Sequence, residues 1–136
     1  MEQMILWFEL HQLQQQYISA LDNDRLEQWA DFFTEECIYE IVPRENEDAG
    51  LPIGIIYCDS KRMLRDRVLS LRHANIYEVH SYRHMTSGMQ IRVIDADTVE
   101  TESSYVVVRT PDGWRYKAKR VIYDTSRVAT LLATPI

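Results

Sequence analysis

An α+β fold is predicted by three features of this sequence. Helical periodicity dominates the first half, three long β-rich segments follow one another in the second, and short turn signals separate those segments. Short turns make consecutive strands antiparallel neighbours. The expectation is therefore N-terminal helices packed on one side of a curved antiparallel sheet, whose concave face can enclose a pocket.

Residues 3–21 read as a helix, because Ile5, Phe8, Leu13, Tyr17 and Leu21 recur at helical spacing and Ile18 widens the stripe. Asp22-Asn23-Asp24 stops it and caps a short second helix carrying Leu26, Trp29 and Phe33. Glu27, three residues after Asp24, resembles a capping box. Residues 37–42 are rich in β-formers and end at Pro43, so they form a strand. The charged residues 44–51 form a loop. A second apolar strand runs from Ile53 to Cys58. Asp59-Ser60 then caps a third helix to about Leu71, with Met63, Leu64, Val68 and Leu71 inside and Arg62, Arg65 and Arg72 outside. Residues 80–94 read as a long strand with an irregularity at Gly88. Asp95-Ala96-Asp97 turns the chain into a strand from Val99 to Val108, and Pro111-Asp112-Gly113 is a further turn. In the last strand, Trp114 to Tyr123, alternation places Trp114, Tyr116, Ala118 and Arg120 on one face, and Arg115, Lys117, Lys119 and Val121 on the other.

Composition narrows the function classes. The 136 residues suit a single domain spanning residues 1–136, and 46% hydrophobic with 26% charged residues is ordinary for a globular protein. The net charge of −6 argues against nucleic acid and anionic membrane as partners. No apolar run is long enough to cross a bilayer, and Met1-Glu2-Gln3-Met4 lacks a basic secretory n-region. Two cysteines, Cys37 and Cys58, make no disulfide framework; they read as buried free thiols in a reducing cytoplasm.

Five strings, in order, carry a likeness: Trp29-Ala30-Asp31-Phe32-Phe33-Thr34-Glu35-Glu36-Cys37, Pro43-Arg44-Glu45-Asn46, Met63-Leu64-Arg65-Asp66-Arg67-Val68, Tyr82-Arg83-His84-Met85-Thr86-Ser87 and Lys119-Arg120-Val121-Ile122-Tyr123-Asp124. With the order of elements, they resemble the small (β) subunits of Rieske-type aromatic-ring-hydroxylating oxygenases, from about residue 5 to the C-terminus. Ala74-Asn75-Ile76-Tyr77-Glu78 and the closing Leu132-Ala133-Thr134-Pro135-Ile136 look most like the salicylate hydroxylase and terephthalate dioxygenase branch. The resemblance implies the cone-shaped NTF2-like fold (also called cystatin-like or SnoaL-like), shared with nuclear transport factor 2 and scytalone dehydratase. It also implies a structural, non-catalytic role beside a large α subunit, in an α3β3 assembly acting on an aromatic carboxylate in aromatic compound catabolism. The α subunit would hold a Rieske [2Fe-2S] cluster and a mononuclear iron, and a separate reductase or ferredoxin would supply electrons. One departure stands out. Family members carry a strand-rich segment between Val108 and Trp114 that this chain lacks, since Arg109-Thr110 runs straight into Pro111-Asp112-Gly113. A lost strand exposes backbone groups, so a true tight hairpin is not expected there.

The residues themselves argue against redox iron in this chain. A Rieske cluster takes two Cys and two His ligands, and neither Cys37 nor Cys58 has a neighbouring His. His80 and His84 are four apart, which in a strand is about 13 Å, too far to share a metal. Cofactors are therefore expected in the partner. The alternative is a stand-alone dehydratase, isomerase or cyclase in which Asp31 and His84 form an acid–base pair and Tyr39, Tyr57 or Tyr105 polarises a carbonyl. A non-catalytic module binding a small ligand is the third reading. Tyrosines that fill the core and an Asp at a helix end are the structural counterparts of those roles. Arg65, Asp66 and Arg67 read as a solvated charge cluster. Arg83, Arg120 and Asp124, on strands where charge wants a partner, and Arg44, Glu45 and Asn46, on a loop, are candidate subunit contacts.

Overall fold

In the computed structural model, residues 1–50, 56–73, 81, 83–86, 88–102 and 105–123 are described. Helix α1 (Glu2–Asp22) leads into a 3-10 helix (Leu26–Phe32). Strand β1 (Phe33–Pro43), helix α2 (Arg44–Asp48), strand β2 (Ile56–Cys58) and helix α3 (Lys61–His73) follow. Strands β3 (Ile91–Asp95), β4 (Thr98–Thr101), β5 (Tyr105–Thr110) and β6 (Gly113–Tyr123) complete the described chain. The six strands form one sheet in the order β2-β1-β6-β5-β4-β3.

The α+β class stands, with one change in the sheet. It is mixed, because β1 runs parallel to β6, pairing Phe33 with Tyr116 and Ile38 with Ala118. Every other neighbour pair is antiparallel. This long-range pair brings the two halves of the chain together over a single core. Trp29, Phe33, Tyr39, Tyr17 and Tyr116 are all almost wholly buried there. Their rings meet mostly edge to face, with centroids 5.1 Å apart for Trp29–Tyr39 and 5.3 Å for Tyr17–Tyr116. That arrangement suits the aromatic quadrupole. Trp29 Nε1 donates to the Tyr17 hydroxyl at 2.9 Å, so two large residues enter the core with their polar tips matched.

Several elements differ from the sequence expectation. The buried stripe of α1 is Leu10, Leu13, Tyr17 and Leu21, while Ile5 and Phe8 face solvent. Asp24 takes φ 58°, and no side chain caps the 3-10 helix. Asp24 and Glu27 instead both receive Arg72, at 2.7 and 2.8 Å. Arg72 thus ties α3 to the junction after α1 rather than pointing freely outward. Residues 44–48 make a one-turn helix, not a loop. Ser60 accepts the Met63 N–H at 3.2 Å as the predicted cap of α3, although Met63 itself is exposed. Among the described residues, the long strand expected over 80–94 is seen only as β3, and His84 lies in irregular backbone. The strand expected over 99–108 is split into β4 and β5.

The connection from β5 to β6 is a tight hairpin after all. Thr110 pairs with Gly113 across the two-residue turn Pro111-Asp112. Gly113 takes φ 104°, which a side chain would resist, and Thr110 Oγ1 both accepts the Asp112 N–H and donates to Gly113 O. Among the described residues, every strand of the sheet has a hydrogen-bonded neighbour on at least one side, and β5 and β6 are paired directly with each other.

A bulge in β6 has the largest consequence for the interior. Val107 pairs with Tyr116 but Val106 pairs with Ala118, so Lys117 is an extra residue. Beyond it the alternation is reversed. Lys119 therefore sits opposite the buried Tyr105, Val121 packs on the core, and Arg120 faces away from it. The face assignment drawn from strict alternation holds through Tyr116 and inverts after Lys117.

Candidate functional site

The interior of the helix-covered sheet face is the first place to look for chemistry. Lys119 Nζ lies 3.7 Å from the Tyr17 ring centroid and 5.5 Å from that of Tyr116, a cation–π position on two rings. Burial pulls this amine down to about 7. Burial pushes the Tyr17 and Tyr116 hydroxyls well above the ordinary tyrosine value and the Tyr105 hydroxyl up to about 12. These tyrosines therefore stay protonated, as donors, at any ordinary pH. The Tyr105 hydroxyl meets Met89 Sδ at 2.8 Å, and the buried Tyr116 hydroxyl has no protein partner among the described residues. Tyr17, Trp29, Phe33, Tyr39, Tyr105 and Tyr116 all belong to the buried core cluster.

The structure does not pair Asp31 with His84. Asp31 is largely exposed at the end of the 3-10 helix, with Arg65 at 3.6 Å and Lys61 at 4.0 Å. His84 meets a different carboxylate, Asp22 at the end of α1, with Nδ1 2.5 Å from Oδ1. The His84 main-chain N–H also donates to both Asp22 oxygens, at 3.0 and 3.1 Å. A carboxylate that holds the backbone as well as the ring fastens a segment to a helix end. Of the three candidate tyrosines, Tyr39 is in the core and Tyr105 is tied to Met89, while Tyr57 is half exposed on β2. No arrangement converges them on His84.

The candidate contact residues divide. Arg120 is engaged within the chain, 2.7 Å from Glu40 and 2.5 Å from Glu47, bridging β6, β1 and α2. Its Nε approaches Glu40 off the line of a directed hydrogen bond, so that contact is ionic. Arg44 and Glu45 are exposed on α2 and Asn46 is half-buried beside them. Arg83 is exposed next to His84. Asp124 lies outside the described residues, as does His80.

The donor set for metal is poor. Cys37 and Cys58 are free and buried, and burial raises both thiols, Cys37 to about 11. A thiol so far from ionising is a weak ligand. Among the described residues no three His, Cys, Asp or Glu side chains gather in a metal-binding cluster, and no helix is long and apolar enough to cross a membrane.

Sequence reasoning missed Asp22, which carried only the signature of a helix stop, and Lys119, which alternation put outside. It also missed the Glu9–Trp114 contact at 2.9 Å and Arg109 stacked 4.4 Å over the Trp114 ring. The first two depend on a pairing 62 residues away and on a bulge, and neither leaves a local pattern.

Comparison with known proteins adds what geometry alone does not. The SnoaL-like domain family matches residues 8–130. The anthranilate 1,2-dioxygenase small subunit of Burkholderia cepacia is 60% identical over 156 aligned positions, covering 99% of this chain and 97% of the relative. That alignment is longer than the 136 residues here, so the relative has positions without a counterpart in this chain. The β 2 subunit of the terephthalate 1,2-dioxygenase terminal oxygenase component from Comamonas sp is 42% identical over 93 residues, covering 68% of this chain and 60% of the relative. Among solved structures, a Novosphingobium aromaticivorans protein assigned as the β subunit of an aromatic-ring-hydroxylating dioxygenase superposes with TM-score 0.83 and 38% identity over 100% of both chains. The benzoate 1,2-dioxygenase β subunit of Burkholderia mallei, at 15% identity and TM-score 0.65 over 83% of this chain and 87% of its own, shares the fold.

Proposed function

This chain belongs to the SnoaL-like family, among the small subunits of aromatic-ring-hydroxylating dioxygenases, and from that membership we propose that it is a structural subunit whose large partner carries the catalysis. The observation that supports this most directly is the aromatic packing of the core. Where a catalytic relative of this fold would need an open pocket, six aromatic residues pack ring against ring. The substrate of the assembled enzyme is an aromatic carboxylate, as in the anthranilate and terephthalate relatives. Three copies joined to three large subunits, in the cytoplasm, with electrons from a separate reductase or ferredoxin, complete the proposal.

A Rieske cluster and a mononuclear iron do not fit the residues described here. The two cysteines are raised away from thiolate, and His84 Nδ1 is taken by Asp22. These groups belong, on this proposal, to the large subunit. The test is metal analysis and turnover on the purified chain. Iron well below stoichiometric, no visible absorption band and no hydroxylation alone, with activity restored by adding the large subunit, is the expected result. Stoichiometric iron in the isolated chain would overturn it.

The stand-alone acid–base enzyme keeps one observation in its favour, the Asp22–His84 contact. It predicts turnover of a small substrate by the isolated chain that is abolished in Asp22→Asn.

A further inference from the structure

Lys119 meets tyrosines from every element packed around it. Tyr105 stands opposite it in the β5–β6 pair and Tyr39 in the β1–β6 pair. The Tyr17 ring of α1 has its centroid 3.7 Å from Nζ, and the Tyr116 centroid, on the same strand, is 5.5 Å away. Among the described residues no carboxylate pairs with this amine, and burial alone lowers it to about 7. Tyr116 is wholly buried, and its hydroxyl has no partner among the described residues. An unpaired buried hydroxyl is penalised where a plain ring is not. Phe33 packs on Tyr116 with centroids 5.5 Å apart, so the same core accepts a plain ring. Packing therefore accounts for the rings, and leaves the Tyr116 hydroxyl and the Lys119 amine unexplained.

The same cluster connects to the surface. Trp7 is 37% exposed, and its Nε1 donates to the Met89 carbonyl at 3.0 Å. Met89 Sδ accepts the Tyr105 hydroxyl at 2.8 Å, and the Tyr105 and Tyr116 centroids are 5.2 Å apart. Indole and phenol rings give up single electrons, and contacts this close carry an electron between them without a bound cofactor. A buried phenol becomes a neutral radical only when a base also takes its proton. We propose that Trp7, Met89, Tyr105 and Tyr116 form a one-electron path from the surface to a tyrosyl-radical site at Tyr116, with Lys119 as the base. A one-electron oxidant at the surface takes an electron from Trp7. Trp7 is refilled from Tyr116 through the contacts of Met89 and Tyr105, and the Tyr116 phenolic proton passes to the neutral Lys119 amine. The oxidant is thereby reduced by one electron, Tyr116 is oxidised by one, and the amine becomes an ammonium. The Tyr17 and Tyr105 hydroxyls that also face Lys119 stay protonated through burial, so they do not compete as bases. This function goes beyond the small-subunit reading and does not depend on it.

The test photogenerates tris(bipyridine)ruthenium(III) beside the full purified chain and follows tyrosyl radical by electron paramagnetic resonance. Buffer is kept dilute so that solvent bases do not take the proton. Every protein carries Tyr57→Phe, which removes the half-exposed tyrosine of β2. The amine accepts a proton only when neutral, so the expected result is a persistent radical whose yield rises as pH passes about 7. Lys119→Met is expected to lose that rise. Tyr116→Phe is expected to lower the yield severalfold at every pH, and Trp7→Phe to slow its formation severalfold. Melting curves establish that each variant is folded. Should Lys119→Met fail to fold, Tyr116→Phe, which removes a single unpartnered oxygen, decides. An unchanged response in any of these folded variants, or no persistent radical in the parent protein, overturns the inference and leaves the small-subunit assignment standing.

Discussion

Lys119 shows how much one residue's setting depends on the strand around it. Its amine sits over the Tyr17 ring, and burial lowers it to about 7. The unfolded chain keeps the same proton up to about 10.4. Between about pH 7 and 10 the unfolded form therefore binds more protons, and this group makes stability rise with pH. Below about pH 7 both forms are charged and the penalty of burying the ammonium is fully present. Cys37 and Cys58 act in the opposite sense. Their thiols are raised in the fold, so stability falls with pH once the unfolded thiols ionise near 8.5. The informative quantity is the difference between wild type and Lys119→Met, which keeps the length of the side chain and removes its charge. Urea unfolding at several pH values is expected to show Lys119→Met more stable near neutrality, with the gap closing as pH rises towards 10. A gap independent of pH would show the amine to be solvated. None of this was legible in the sequence, where Lys119 is one of four alternating residues in Lys117-Ala118-Lys119-Arg120 and strict period-two reading turns it outward.

At the scale of elements, the chain was most readable where one local signal decides. The Asp22-Asn23-Asp24 stop, the Ser60 cap and the turn at Pro111-Asp112 are all present. Periodicity failed where tertiary partners decide which side of an element is buried. The helical stripe through Ile5 and Phe8 is as regular as the one through Leu13 and Tyr17, and only the sheet beneath α1 distinguishes them. The Asp–His pairing failed for a related reason. Asp31 and Asp22 both look like helix-end carboxylates in the sequence, but only Asp22 receives the segment bearing His84. This difference is measurable. Asp22→Ala leaves a half-buried N–H and imidazole without their acceptor, and is expected to destabilise the fold by about 1–3 kcal/mol. Asp31→Asn disturbs exposed ion pairs of 3.6 and 4.0 Å, and is expected to change stability by less than about 1 kcal/mol. Denaturant midpoints on the two variants decide it, and equal losses would mean that Asp22 holds nothing. In the assembled oxygenase, Asp31→Asn should also leave turnover close to wild type.

For the whole molecule, composition and element order led to the correct fold class, yet the pairing that closes the fold was invisible. Phe33 and Tyr116 are neighbours in space only because β1 inserts parallel to β6, between β2 and the β3–β6 antiparallel run. No turn signal announces such a partner, since the connection spans most of the chain. The same pair has a thermodynamic consequence. The helices and β1 from the first half and β5–β6 from the second contribute to one buried cluster, and neither half encloses Trp29, Tyr39 and Tyr116 without the other. A core shared in this way should be lost all at once, as in other single domains of this size. Urea unfolding followed by tryptophan fluorescence, with Trp29 at the centre of the cluster, should therefore coincide with unfolding followed by far-ultraviolet circular dichroism. Both curves should fit one midpoint with a slope of about 1–3 kcal/mol per molar urea. Helical signal persisting after the tryptophan transition would mean that α1 and α3 stand without the sheet. In that case the parallel β1–β6 pair would not be what binds the two halves into one cooperative unit.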